Sequence, residues 1–136
     1  FHAGSAAEGA VRLIDLGVEP YLLRAGLRGV LCQRLVRKRC ECQASEPVEP
    51  VEHRHAGCPR CWGTGYRGRL VIAELFQVHS VADLPEETLQ LSAWQAAARR
   101  QKMVSLNHRG AQAIAAGLTT PAEIERVLGQ RDPESN

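Results

Sequence analysis

The sequence predicts an α+β chain, mainly α-helical, with one small antiparallel β element. Three observations point there: capped helical periodicities at both ends, two stretches rich in branched apolar residues, and a cysteine-bearing loop that those stretches flank. Helix one follows from Ser5 as N-cap with Glu8 at the capping-box spacing. Ala10, Val11, Ile14 and Leu16 then recur with helical periodicity until Gly17 stops it. Pro20 suits the first position of a second helix, "PYLLRAGLRGVL", in which Gly26 and Gly29 are weak points unless another backbone packs close. "CQRLVRKRC" reads as a short strand with Leu35 and Val36 at its apolar centre, and "RLVIAELFQV" as its antiparallel partner. Beyond them the chain is helical: "LPEETLQLSAWQAAARRQK"; then "SLNHRGAQAIAAG", closed by Gly117; then "TTPAEIERVLGQ", with Thr120 as N-cap, Pro121 at the first helical position and Glu123 at the capping-box place.

The 136 residues suffice for one modest core, and with aromatics at only 4% that core has to be mainly aliphatic. Lys and Arg number 17 against 15 Asp and Glu, so net charge alone argues neither for nucleic acid nor for a membrane surface. No apolar run is long enough to span a bilayer and no secretory leader is recognisable, which makes a cytoplasmic location the expectation. The chain opens on Phe1 and enters a helix within a few residues. It is expected to be part of a longer protein.

Five cysteines without a secretory signal favour metal or buried thiols over disulfides. Cys58 and Cys61 form a C-x-x-C pair, and Cys40 with Cys42 supplies a second, shortened C-x-C pair across a polar, proline-containing loop. Two such pairs aimed at one point make a four-thiolate zinc site, which has no open position for water and is therefore structural. His53 or His55, inside the loop, can replace a thiolate if Cys40 or Cys42 points away. Cys32 is most simply a small buried hydrophobe. The basic run Arg34, Arg37, Lys38 and Arg39, with Trp62 and Tyr66 nearby, supports an alternative: a zinc-ribbon-like module binding nucleic acid or protein. Near-neutral total charge and the acidic Glu41, Glu46, Glu49 and Glu52 just downstream make nucleic acid the less favoured partner. A docking platform for a component of a larger assembly is a third possibility.

"CPRCWGTG" resembles the C-x-x-C-x-G-x-G repeat of DnaJ-type chaperones, but that family needs four copies and one is present. A second resemblance covers nearly the whole chain. "RLIDLGVEPYLL", "QRLVR" and the C-x-x-C-x-x-T-G-Y-x-G-R run, in register with the "GLTTPAEIERV" tail, are similar to the C-terminal part of type II secretion and type IV pilus assembly ATPases, hexameric motors of the secretion ATPase superfamily. The resemblance implies three parts: residues 1–39 as the end of a RecA-like ATPase core, 40–68 as a zinc-binding tetracysteine loop, and 69–136 as a strand with a C-terminal helical subdomain. It implies a zinc held by Cys40, Cys42, Cys58 and Cys61, with His2, Gln33 and Arg34 near nucleotide in the intact protein. ATP and Mg, other subunits of a ring, and cytoplasmic and inner-membrane platform components of a secretion or pilus machine are the implied cofactors and partners. Departures are visible. Ala3 and Gly4 stand where the family usually has Thr and Asn, and no G-x-x-x-x-G-K-[ST] occurs, so residues 1–136 alone are expected to be inactive toward ATP.

Overall fold

The computed structural model describes residues 2–43, 58–86 and 88–129. Helices α1 (Ala6–Asp15) and α2 (Pro20–Gly26) precede strand β1 (Gly29–Arg39); after the cysteine loop come β2 (Tyr66–Gln77), α3 (Leu91–Arg100), α4 (Leu106–Ala115) and α5 (Pro121–Leu128). The strands form a two-stranded sheet. It is antiparallel, because Val78 N–H donates to Arg28 O at one end while Cys40 N–H donates to Gly65 O at the other. Between those bonds β2 spends one residue more than β1. Gly68, with φ at 77°, is the strand residue in left-handed conformation and marks where the extra residue is absorbed as a bulge.

Local signals set most helix ends. Ser5 Oγ accepts the Glu8 N–H at 3.1 Å, while the Glu8 carboxylate reaches back one residue further than a capping box requires, to Gly4 N–H at 2.7 Å. Thr120 Oγ1 accepts the Glu123 N–H at 3.2 Å, and Gly117, at φ 68°, closes α4. Two elements are shorter than the sequence pattern predicts. The second helix stops at Gly26 instead of continuing to Leu31, since β1 begins at Gly29, where a Cβ would lie 3.0 Å from Phe76 O. Approach of a second backbone converts this glycine-weakened segment from helix to strand. The third helix starts at Leu91, not Leu84; the stretch before it holds a 3-10 turn at Val81–Asp83 and Pro85, which disfavours helix at Leu84. Arg12 and Asp15, at helical spacing on α1, form no ion pair among the described residues.

The chain divides into two compact units, Phe1–Gln33 with Ala73–Ser105, and Arg34–Ile72 with Leu106–Asn136, so each strand passes from one unit into the other. In the first, α1 packs on α3. Their buried faces are Ala6, Ala7, Gly9 and Ala10 on one side and Trp94, Ala97 and Ala98 on the other, small residues that let the axes come close. Trp94 is fully buried; its Nε1–H donates to Thr88 O at 2.8 Å, and its ring meets Phe76 edge-on at 5.5 Å. Buried Glu74 accepts the Ala6 N–H at 2.6 Å, which places a carboxylate at the positive end of α1. Cys32 is buried, as expected of a small hydrophobe. In the second unit α4 packs on α5, with Gly110 against Ile124.

Candidate metal centre

The cysteine centre lies in the second unit, where β1 ends and β2 begins. After Arg39 the chain turns at once: Gln43 N–H donates to Cys40 O at 3.0 Å, closing a 3-10 turn over Glu41–Gln43. The chain reverses within this turn, and the sulfurs of Cys40 and Cys42 both reach the cluster despite the C-x-C spacing. The second pair sits on a knuckle in which Cys61 N–H donates to Cys58 O (3.1 Å) and Thr64 N–H to Cys61 O (3.0 Å). Thr64 Oγ1 also donates to Cys61 O at 2.6 Å. Trp62, Gly63 and Gly65 all have positive φ there, so the chain reverses sharply just after the second sulfur.

The four Sγ atoms lie within 4.8 Å of one another. Cys40 and Cys58 sulfurs are 3.7 Å apart, Cys58 and Cys61 3.8 Å, and Cys42 and Cys61 3.9 Å. Those distances are far too long for S–S bonds, and all five cysteines are free thiols. They do match a metal tetrahedron: Zn–S bonds of about 2.3 Å place neighbouring sulfurs about 3.8 Å apart. The donor set therefore fits zinc in both chemistry and size. Cys40 and Cys61 are buried and Cys42 is exposed, so the cluster has a covered side and an open one.

The sulfurs differ electrostatically. Backbone N–H donation, first from Cys58 (3.3 Å) and also from Gly65, stabilises the Cys61 thiolate and brings its pKa down to about 6. Cys42, which faces the Cys40 sulfur first and the other two besides, is pushed up to about 12. Cys58 is lowered, against burial, by the backbone N–H of Cys61 and its sulfur neighbours. A cation at the centre would bind all four as thiolates, with release of the protons that the sulfurs otherwise share. Outside the ring of sulfurs, Arg60 pairs with Glu41 at 3.0 Å.

Behind the cluster, Glu123 of α5 organises the strand end. It is fully buried and accepts from Arg37 N–H and Arg37 Nε at 2.8 Å each, and from Arg126 Nε at 2.8 Å and Nη2 at 2.7 Å. Hydrogen bonds from Arg126 and then Arg37 hold its pKa down to about 2. Arg37 also lies over the Tyr66 ring, 4.2 Å from its centroid, and Tyr66 hydroxyl shares a 2.6 Å hydrogen bond with Thr120 Oγ1. Arg39 Nη2 donates to Gln43 O at 2.8 Å. Two members of the basic run thus serve the interior of this unit, and Tyr66 is an internal packing residue. Trp62, by contrast, is 90% exposed and does not cover the sulfurs.

Of the other residues singled out from sequence, His53 and His55 lie outside the described residues. His2 is exposed ahead of α1, while Gln33 and Arg34 are consecutive on β1 and so face opposite sides, Gln33 exposed and Arg34 half-buried. Sequence reasoning missed Glu123 as an ion-pair centre and Glu74 as the acceptor at α1. Glu123 fits a capping pattern that its side chain does not complete, and Glu74 carries no signal beyond its place on the inward face of β2.

Comparison with known proteins identifies the family. The family model described as type II/IV secretion system protein matches residues 1–126. Type II secretion system protein E of Pectobacterium carotovorum subsp. carotovorum is 37% identical over 142 residues, covering 93% of this chain and 28% of that protein. Type II secretion system protein HxcR of Pseudomonas aeruginosa is 41% identical over 128 residues (93% and 27%), and type IV pilus assembly ATPase TfpB of Acinetobacter baylyi 32% over 145 residues (93% and 25%). The chain spans between a quarter and three-tenths of the length of these relatives. No helix among the described residues is long and apolar enough to cross a membrane. With a family match over 126 residues and relatives above 30% identity along most of its length, the chain belongs to the type II/IV secretion system protein family.

Proposed function

We propose that this chain is the C-terminal region of a hexameric, cytoplasmic ATPase motor that powers type II protein secretion or type IV pilus assembly, and that it carries one structural zinc on Cys40, Cys42, Cys58 and Cys61. The observation that carries the proposal is the convergence of four sulfurs at the spacing of a zinc tetrahedron, in a chain of this family. Bound there, zinc supplies folding free energy; four thiolates fill a tetrahedral shell and leave no place for a reacting water.

The division of labour follows. Residues 1–39 complete a RecA-like core, 40–68 form the zinc loop, and 69–136 carry the second strand and a helical subdomain. ATP and Mg are bound by a part of the protein that supplies the P-loop, with His2, Gln33 and Arg34 contributing near the nucleotide. The motor sits at the cytoplasmic side of the inner membrane, held there by the secretion or pilus platform, and hydrolysis moves one subunit against the next.

Native mass of the purified 136-residue chain, repeated after acid denaturation, tests the metal. One zinc per chain is the expected result, falling to none in Cys58→Ser and Cys61→Ser together with a lower unfolding midpoint. Reduced cysteines without metal in the parent chain, or unchanged stability in both variants, would refute a structural zinc.

A further inference from the structure

We infer that the cysteine centre and the docking of α5 are one thermodynamic unit, so that filling the centre with metal tightens α5 and releasing the metal loosens it. This rests on the zinc proposal above. Its basis is that the same short stretch of strand serves both. At the end of β1, Arg37 O accepts from Thr119 Oγ1 at 2.8 Å and Arg37 N–H donates to Glu123, which ties the strand to the start of α5. Two residues on, Arg39 N–H donates to Leu118 O at 2.8 Å. The next residue is Cys40, whose N–H donates to Gly65 O at 2.8 Å, and Arg39 Nη2 holds Gln43 O, one residue past Cys42.

The opposite strand repeats the arrangement. Gly65 N–H faces the Cys61 sulfur, and the following residue, Tyr66, bonds Thr120 at the N-cap of α5 while its ring supports the guanidinium of Arg37. The Gln43 side chain lies against Gly65, where a Cβ would be 2.6 Å from its Nε2. Cys40 and Gly65 are joined directly to Arg39 and Tyr66, so a shift of either on metal release is passed to residues that, with Arg37, bond the Leu118–Glu123 segment. Cys40 and Gly65 are each one residue from a contact to the segment that leads into α5, Leu118 on one side and the N-cap Thr120 on the other. By reciprocity, loosening α5 weakens metal binding by the same factor that metal release loosens α5.

The test uses the 136-residue chain loaded with one zinc. Hydrogen exchange of residues 119–128 is compared before and after removal of zinc by a chelator, with residues 6–15 of α1 as internal control. Zinc affinity is then measured by competition with a chromophoric chelator in Tyr66→Phe and Glu123→Gln. The expected result is exchange in 119–128 faster by roughly ten-fold without metal and zinc binding weaker by a similar factor in Glu123→Gln. Tyr66→Phe, which loses one hydroxyl and leaves the fold intact, is expected to change both readouts in the same direction by less. Zinc bound one to one with exchange of 119–128 unchanged on its removal overturns the coupling and leaves the zinc proposal standing. Failure of the chain to bind zinc overturns both. Equal loss of protection in α1 and α5 also overturns it, because global unfolding then accounts for the change.

Discussion

Replacing Glu123 by Gln removes a charge and keeps the shape, which isolates the electrostatic share of the α5 clamp. The carboxylate is fully buried, yet it receives five short contacts from Arg37 and Arg126, including Arg37 Nη2 at 2.6 Å. Those contacts lower its pKa from 4.5 to about 2, led by Arg126. A shift of that size corresponds to about 3 kcal/mol. Both arginine side chains are about half exposed, at 43% and 57%, so solvent screens them and about 2 kcal/mol is the expected net contribution. Because the folded pKa lies below the unfolded one, this stability is fully present above pH 4.5 and is lost as pH falls from 4.5 toward 2. Urea unfolding of parent and Glu123→Gln chains from pH 7 to 3 measures it. Acid also strips metal by protonating thiolates in both proteins, so the informative quantity is the difference between them. That difference should be about 2 kcal/mol at neutral pH and shrink as pH falls below 4.5. No gap at neutral pH would show that Glu123 acts by shape alone, and a gap that stays constant down to pH 3 would show that it does not come from ionisation of Glu123.

Two glycines give opposing tests of local and tertiary terms. Gly110 lies inside α4, where alanine gains about 1 kcal/mol of helix propensity, but its Cβ would meet Ile124 Cγ2 at 3.0 Å and Cδ1 at 3.2 Å. Overpacking of about 1–3 kcal/mol outweighs that gain, so Gly110→Ala should lower the urea midpoint; a higher midpoint would mean that α4 and α5 separate easily. Gly65→Ala faces a positive φ of 74° and the Gln43 amide together, and should cost about 1–2 kcal/mol and weaken zinc retention against a chelator. Retention equal to that of the parent would show that the turn after the knuckle adjusts without moving the sulfurs.

What was legible in the sequence is what short spans decide. Ser5, Pro20, Gly117, Thr120 and Pro121 fix helix ends through atoms at most four residues away, and each lies where the pattern puts it. The two strands and their antiparallel pairing could be read because the cysteine loop has to return the chain. The switch from helix to strand at Gly29 could not be read, since it depends on the approach of the Phe76 carbonyl. Glu123 was legible only in part: at the third position of α5 it looks like a capping partner, Arg126 at i,i+3 is a local partner that spacing could reveal, and the bonds from distant Arg37 carry no such signal. Spacing identified the cysteine pairs, but not the 3-10 turn after Cys40, which the Gln43 to Cys40 hydrogen bond closes.

The cost of closing the loop makes a metal valuable at this place. Fifteen residues separate Cys42 from Cys58, and joining their ends costs about 2 kcal/mol in chain entropy beyond a fixed term. A two-stranded ribbon is marginal by itself in water and has little with which to offset that cost at its open end. Among the described residues, Cys40 and Cys61 are the buried members of the cluster, and both are small. Without a cation, four sulfurs within 4.8 Å of one another do not all ionise: hydrogen bonding to the Cys40 sulfur, with burial, keeps the proton on Cys42 and pushes its pKa up to about 12. Zinc reverses that balance, because a four-thiolate site in small zinc domains contributes about 10–16 kcal/mol at neutral pH, several times the closure cost. The ordered knuckle, and with it the strand end that α5 grips, is therefore expected to persist above the pH at which the thiolates protonate and to be lost below it.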